Sequence, residues 1–326
     1  MTASVFALGR FKLHHGGELA DAKLVYSTHG TLNDARSNVI LYPTSYGAQH
    51  TDIEWLVGPI LDPSRFFIVI PNMLGNGLST SPSHLPEGTP FEVDHIDNVV
   101  AQERLLRSLG VETIALAYGW SMGAQQALHW AVMHPERVRR VAALCGTART
   151  REHNIVFLSS LESALHADPC WDGVRFTDVP SRGLRAFARI YASWAASQAF
   201  YRHQLYKPLG FTDLEDYLVR AWEPVYRRRH PLDLLAMLRT WMRNDVARGQ
   251  PLSQALGRIR ARTLIMPSQT DLYFTPEDCA DDAALIPGAR YREIPSIWGH
   301  RAGNPSQNPS DARFIRAAIE QLLEEP

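Results

Sequence analysis

Gly119-Trp120-Ser121-Met122-Gly123 constrains this chain more than any other stretch. It is preceded by the apolar run Thr113-Ile114-Ala115-Leu116-Ala117-Tyr118, which reads as a buried parallel strand. It is followed by Ala124-Gln125-Gln126-Ala127-Leu128-His129-Trp130-Ala131-Val132-Met133, which reads as a helix. A chain that turns from strand to helix in so few residues forces strained backbone angles on its central residue. Glycines two positions to either side remove the Cβ atoms that would collide. The turn lifts the Ser121 hydroxyl above the sheet, and the helix N-terminus offers N–H groups to developing negative charge. Alone, G-x-S-x-G is a common pattern. Between this strand and this helix it predicts a nucleophile elbow, against the alternative of a tight turn holding an unreactive serine.

A nucleophilic serine needs a base, and the base needs an acid to orient it. In this strand order both belong on loops after the last strands, in the order serine, acid, histidine. Asp271 follows the predicted strand 262–266 and Pro276 opens a helix beyond it, with Asp278 as the rival acid. His300 follows the predicted strand 291–294 and precedes the terminal helix, a position no other of the 13 histidines holds. His129 and His134 lie on or at the end of the elbow helix and read as packing or capping residues. An oxyanion hole needs two backbone N–H groups. One is assigned to Met122 and the other to Ser45, with Tyr46 as runner-up, in the loop Pro43-Thr44-Ser45-Tyr46-Gly47.

The rest of the chain reads as α/β, then helical, then α/β again. Residues 5–13 and 20–28 form two strands joined through His14-His15-Gly16-Gly17, a hairpin signal. Further strands are predicted at 38–42, 66–70 and 138–144, with helices over 99–109, ending at Gly110, and over 311–323. Between about 150 and 250 no strand is evident. Phe187, Tyr191, Trp194, Phe200, Tyr201, Tyr217, Trp222, Tyr226 and Trp241 crowd this block. The expected organisation is a core of 1–150 and 251–326 with a helical lid at 151–250. With 33 basic and 34 acidic residues the net charge is −1, which argues against nucleic acid or anionic membrane as a partner. Cys145, Cys170 and Cys279 are an odd count without metal-ligand spacing, pointing to no bound metal and a reducing, cytoplasmic setting. Residues 1–13 carry no signal-peptide pattern, and no run approaches the roughly 20 apolar residues of a membrane span.

Beyond the elbow and the triad order, which imply an α/β-hydrolase fold, the chain resembles the homoserine O-acetyltransferase family. The resemblance rests on Tyr26-Ser27-Thr28-His29-Gly30-Thr31-Leu32-Asn33 with Asn38, Leu61-Asp62-Pro63-Ser64-Arg65-Phe66-Phe67 and Asn72-Met73-Leu74-Gly75. It continues through residues 119–122 and His134-Pro135-Glu136-Arg137-Val138, and more loosely at Ala164-Leu165-His166-Ala167-Asp168-Pro169 with Trp171 and Gly173. It implies ping-pong acyl transfer through an acyl-serine, in a tunnel roofed by lid helices, and a homodimer formed through that lid. The family's nucleophile, acid and base fall on Ser121, Asp271 and His300.

Two departures bear on the substrate. The family places an aspartate after the catalytic histidine to receive an ammonium group, and this chain has Arg301. The family's lid carries a Tyr-Arg pair for the substrate carboxylate, and here the match is Tyr191-Ala192. The oxyanion segment also replaces the family's usual His-Ala-Leu-Thr-Gly. Arg301, Tyr191 and Trp120 are the candidate substrate-binding residues. Gly75-Asn76-Gly77 reads as a turn near the site rim rather than a dinucleotide fingerprint, and Arg227-Arg228-Arg229-His230 as a solvated helix end rather than an anion site. The expectation is serine-dependent acyl transfer on a small ester or thioester, with no bound cofactor and with acetyl-CoA or another acyl donor as co-substrate. Ester hydrolysis or transfer to a non-homoserine acceptor leads; homoserine O-acetylation is the alternative.

Overall fold

The computed structural model describes residues 3–324, so the first two residues of the N-terminal stretch weighed above lie outside it. β1 (Ser4–Lys12) and β2 (Glu18–His29) pair antiparallel. Their turn needs Gly16 and Gly17, whose φ angles of 95° and 85° are ones that residues with a Cβ rarely adopt. β3 (Val39–Leu41), β4 (Phe67–Pro71), β5 (Leu116–Trp120), β6 (Arg140–Leu144), β7 (Arg262–Met266) and β8 (Arg290–Tyr291) run parallel. The sheet has eight strands in the order β1-β2-β4-β3-β5-β6-β7-β8. The order reverses around β3, so the carboxyl ends of β3 and β5 flank the crevice where ligands bind in open α/β sheets.

Both sheet faces are covered, which is why the central strands are continuous apolar runs rather than alternating ones. Val39, Leu41, Ala117, Val141 and Ala143 face one core layer, with the helices His95–Ser108, Met122–Met133 and Pro276–Ala284. Ile40, Leu116, Ala142 and Leu144 face the other, against Ile315, Ile319 and Leu322 of the helix Pro309–Glu324. The period-2 alternation of the strand decides which residue goes to which layer.

The elbow strand and the last strand shift most. The elbow strand starts later than Thr113 and runs through Trp120, because its ladder with β6 extends to Trp120↔Leu144. β8 keeps only two residues, and Ile294 instead makes an isolated bridge to Ser268.

Between β6 and β7 the chain is helical, with Glu152–His166, Ser181–Ala195 and Pro231–Met242 the longest segments. Leu184, Phe187, Ala188, Tyr191, Ala192 and Ala195 fall on one face of Ser181–Ala195 and are buried. Phe187, Phe200, Tyr217, Tyr226 and Trp241 are buried within the chain itself. Phe187, Tyr226 and Trp241 join the cluster that covers one face of the sheet, and Phe200 and Tyr217 form a smaller cluster with Ala196 and Tyr206. Cys145, Cys170 and Cys279 are free thiols. Among the described residues no helix is long and apolar enough to cross a membrane.

Candidate active site

Ser121 caps the helix Met122–Met133 at φ 59° and ψ −127°, a strained conformation for a residue with a Cβ. The strain is tolerated because its surroundings leave no alternative. A Cβ on Gly119 would sit 2.1 Å from the Gly123 carbonyl carbon, and one on Gly146 would sit 2.7 Å from the Ser121 carbonyl oxygen. Ser121 N–H donates to the Leu144 carbonyl at 2.9 Å, fixing the turn to the end of β6.

The candidate base and acid come from two loops. His300 Nδ1 lies 2.8 Å from Asp271 Oδ2, and both residues are buried. Asp271 Oδ1 accepts the Tyr273 and Phe274 N–H groups at 2.8 and 3.2 Å, which aims the other oxygen at the imidazole. Thr270 Oγ1 accepts the Gly299 N–H at 3.1 Å and donates to the Ser296 carbonyl at 2.9 Å, joining the acid loop to the histidine loop. His300 is packed between rings: Trp120 stacks on it at 4.9 Å and Tyr273 meets it edge-on at 4.8 Å. Trp120 Nε1 also donates to the His300 carbonyl at 3.1 Å. Among the described residues the second ring nitrogen, His300 Nε2, is buried and has no hydrogen-bond partner, Ser121 included. Asp278, the rival acid, instead stands 3.4 Å from Arg151 at a helix N-terminus capped by Thr275. Cys145 Sγ lies beside the pair, and burial, with the Asp271 charge behind it, pushes its pKa up so that it stays a thiol.

The loop Pro43–Gly47, the candidate source of an oxyanion N–H, packs directly on the elbow. Ser45 Oγ donates to the Trp120 carbonyl and stands 3.4 Å from the Gly123 N–H. Met122 is the first residue of its helix, where N–H groups lack partners inside the helix. A cavity of about 230 Å³ opens here, lined by Tyr46, Trp120, Tyr191, Trp222, His300 and Arg301 among others. Its walls thus come from both the sheet end and the helical insert.

With this geometry in place, comparison with known proteins is decisive. Residues 38–300 match the family described by the α/β-hydrolase fold. The chain belongs to the α/β-hydrolase family. It is similar to a probable esterase of Corynebacterium glutamicum, at 38% identity over 90% of this chain and 88% of that protein. An ethyl acetate hydrolase of Pseudomonas veronii shares 37% identity over 90% of this chain and 87% of that one. The solved structure of an acetylester hydrolase from Corynebacterium glutamicum superposes with a TM-score of 0.92 at 35% identity, covering 99% of this chain and 96% of that one. A homoserine O-acetyltransferase of Thermobifida fusca shares 32% identity over 88% of this chain and 86% of that protein. This α/β-hydrolase is accordingly an ester hydrolase or acyltransferase.

In the hydrolase, Trp120, Tyr191, Tyr46 and Arg301 all reach the cavity, whereas Ser45 does not line it and instead bonds the Trp120 carbonyl. Arg301 is held by neutral partners: Tyr217 Oη at 2.7 Å, Gln307, and the faces of Phe200 and Trp298. Ala192 is buried and accepts the Tyr201 hydroxyl at 2.6 Å through its carbonyl. Sequence reasoning missed Asp52, which lines the cavity. Its two oxygens are taken by Arg228 at 2.8 Å and Arg229 at 2.7 Å, and Arg229 also donates to the Gly47 carbonyl at 2.9 Å. The arginine run read as a solvated helix end thus holds Asp52 and the Gly47 carbonyl. Its partner is some 176 positions away, so no local signal could have found it.

Proposed function

We propose that this α/β-hydrolase is a carboxylic-ester hydrolase working through an acyl-serine on small acyl groups. The observation that carries the reading is His300: one ring nitrogen is tied to a buried carboxylate, and the other is buried and unpaired beside a strained serine elbow. In this mechanism the Ser121 hydroxyl attacks the ester carbonyl and His300 Nε2 takes its proton. Asp271 holds the Nδ1–H tautomer and stabilises the imidazolium. The Met122 and Ser45 N–H groups, with Tyr46 as the alternative to Ser45, meet the oxyanion. His300 then returns the proton to the leaving alcohol, and water resolves the acyl-enzyme by the same route reversed. A cavity of about 230 Å³ lies below the usual range for drug-sized ligands and fits a short ester.

The alternative reading, transfer to homoserine, meets a charge problem. Arg301 lines the cavity where an ammonium would need an anion, and Asp52, a carboxylate in its wall, has both oxygens occupied by arginines. Ala192 has no cation to offer a carboxylate. Intact-mass measurement after mixing with p-nitrophenyl acetate or acetyl-CoA identifies the donor. A Ser121-dependent acetyl adduct from the ester supports hydrolysis. O-acetylhomoserine formed from acetyl-CoA faster than esters are hydrolysed would overturn it.

The helical insert 151–250 acts in this reading as a lid and as the face of a homodimer. Ile155 and Val156 on Glu152–His166, with Leu214 and Val219, are exposed apolar residues that a second copy would cover. Light scattering near the 36.6 kDa of one chain at micromolar concentration would contradict the dimer. The free thiols fit a reducing, cytoplasmic setting.

A further inference from the structure

The turn between β1 and β2 aims two adjacent imidazoles at one carboxylate oxygen. His14 Nδ1 lies 2.8 Å from Asp94 Oδ2, and His15 Nε2 lies 3.1 Å from the same oxygen. The three side chains offer ligand atoms that all lie within 4.8 Å of one another. None of them belongs to the cavity or to the Ser121–His300–Asp271 constellation.

The arrangement is built rather than incidental. Leu13 N–H donates to the Gly17 carbonyl and Gly16 N–H to the Leu13 carbonyl, both at 3.1 Å, so the turn presenting the histidines is closed on itself. His14 N–H donates to Asp97 Oδ1 at 2.8 Å, which docks the turn on the helix His95–Ser108. Asp94 caps that helix: its Oδ1 accepts the Asp97 N–H at 3.0 Å, and Asp97 Oδ2 accepts the Asp94 N–H at 3.0 Å. With Oδ1 engaged by the cap, Oδ2 is the oxygen turned toward the imidazoles. The Asp94 side chain is 7% exposed while those of His14 and His15 are 37% and 42% exposed, so a fixed anchor faces two ligands that can adjust.

From this geometry we propose that His14 Nδ1, His15 Nε2 and Asp94 Oδ2 bind one divalent transition-metal ion of the zinc class. Two imidazole nitrogens and one carboxylate oxygen are a borderline donor set; calcium and magnesium prefer all-oxygen sets. Three protein ligands leave a position for water, as in an open tetrahedral site. Zinc–ligand bonds of about 2.0–2.2 Å place tetrahedral ligands about 3.3 Å apart. The two separations to Asp94 Oδ2, 2.8 and 3.1 Å, widen by only a few tenths of an ångström, and the half-exposed imidazoles can adjust the spacing between their own nitrogens. Binding uses the neutral tautomers with the ring proton on His14 Nε2 and His15 Nδ1, and exchanges two contacts to Asp94 for two metal–nitrogen bonds. The ion cross-links the edge hairpin β1–β2 to the helix that leads into the elbow strand. Among the described residues the other cluster of this type, Cys145 with Asp271 and His300, is the proposed catalytic pair beside a protonated thiol and carries no such reading.

The test uses the full chain without a polyhistidine tag, titrated calorimetrically with zinc chloride and spectroscopically with cobalt chloride. The expected result is one ion per chain, cobalt d–d bands, a higher melting temperature in zinc and unchanged ester turnover. His14→Ala and His15→Ala should each weaken zinc by about tenfold or more, and the double variant should lose the bands while keeping wild-type turnover. His15→Gln, polar at a half-exposed position, serves if an alanine variant misfolds, and should weaken zinc equally. Absence of binding to the wild-type chain would overturn the proposal. So would binding that persists in the double variant, or zinc that inhibits ester turnover equally in both, which would place the ion on the catalytic pair.

Discussion

A serine held at φ 59° costs on the order of 1–3 kcal/mol, which the sheet and helix on either side of Ser121 must supply. That cost falls on the backbone, so removing the hydroxyl leaves the elbow standing. Ser121→Ala should keep the fold and lose roughly 10⁴–10⁶-fold in kcat, read by steady-state ester hydrolysis. Retention of more than about a tenth of wild-type turnover would exclude the serine mechanism. His300→Ala should be as damaging and Asp271→Asn somewhat less. Asp278→Asn should change little, because Asp278 faces Arg151 rather than His300. Arg301→Asp should not confer homoserine acetylation. It reverses one charge, but Ala192 still leaves the carboxylate unmet, at a cost of about 1–3 kcal/mol for each unsatisfied buried group. Product analysis with acetyl-CoA and homoserine checks this, and rapid transfer by the single variant would contradict it.

At the scale of elements, the site exists because two loops and an insert meet at the carboxyl end of the sheet. Gly299 marks the meeting point: its φ is 65°, and a Cβ there would lie 2.7 Å from the Ser197 N atom and 2.9 Å from the Ala195 carbonyl oxygen. Gly299→Ala should destabilise by about 1–3 kcal/mol and reduce kcat, since the insert must retreat or His300 must move. Urea unfolding with ester kinetics reads both effects, and wild-type values for both would show that the contact is slack. The strained turn at Ser121 and the pairing of Asp271 with His300 were legible in the sequence because each residue follows a strand end and needs only local context. Strand register was less so. An apolar run from Thr113 does not say where its ladder begins, and pairing with β3 and β6 moved the strand to Leu116–Trp120. The cavity wall was legible only in part: Trp120, Tyr191, Tyr46 and Arg301 were named from the sequence, but the contacts that hold the wall in place were not. Asp52 with Arg228 and Arg229, and Arg301 with Tyr217, join residues brought together only by the folding of the insert onto the core.

Across the whole molecule, buried titratable groups pull acid stability in opposite directions. Burial pushes His95 down to about 4 and His129 down to about 3, the latter with the neighbouring His95 adding to the effect. Burial raises Asp97 and Asp282 to about 6. A histidine whose folded pKa is depressed stays neutral while the unfolded chain takes up a proton below about 6.5. Its stabilisation is therefore present above that pH and lost as pH falls toward the folded value. The raised aspartates act in the reverse sense, gaining protons first in the folded state, so the total slope below pH 6 mixes both. A single substitution isolates one contribution. His129 lies 3.1 Å from Asn244 Oδ1 through Nε2, a contact that a glutamine amide can replace without titrating. The stability advantage of wild type over His129→Gln should shrink by about 2 kcal/mol between pH 6.5 and pH 5, from linkage at about 1.4 kcal/mol per pH unit. Urea unfolding of both proteins across that range measures the difference directly. A gap that stays constant with pH would mean that His129 takes up its proton over the same pH range folded as unfolded.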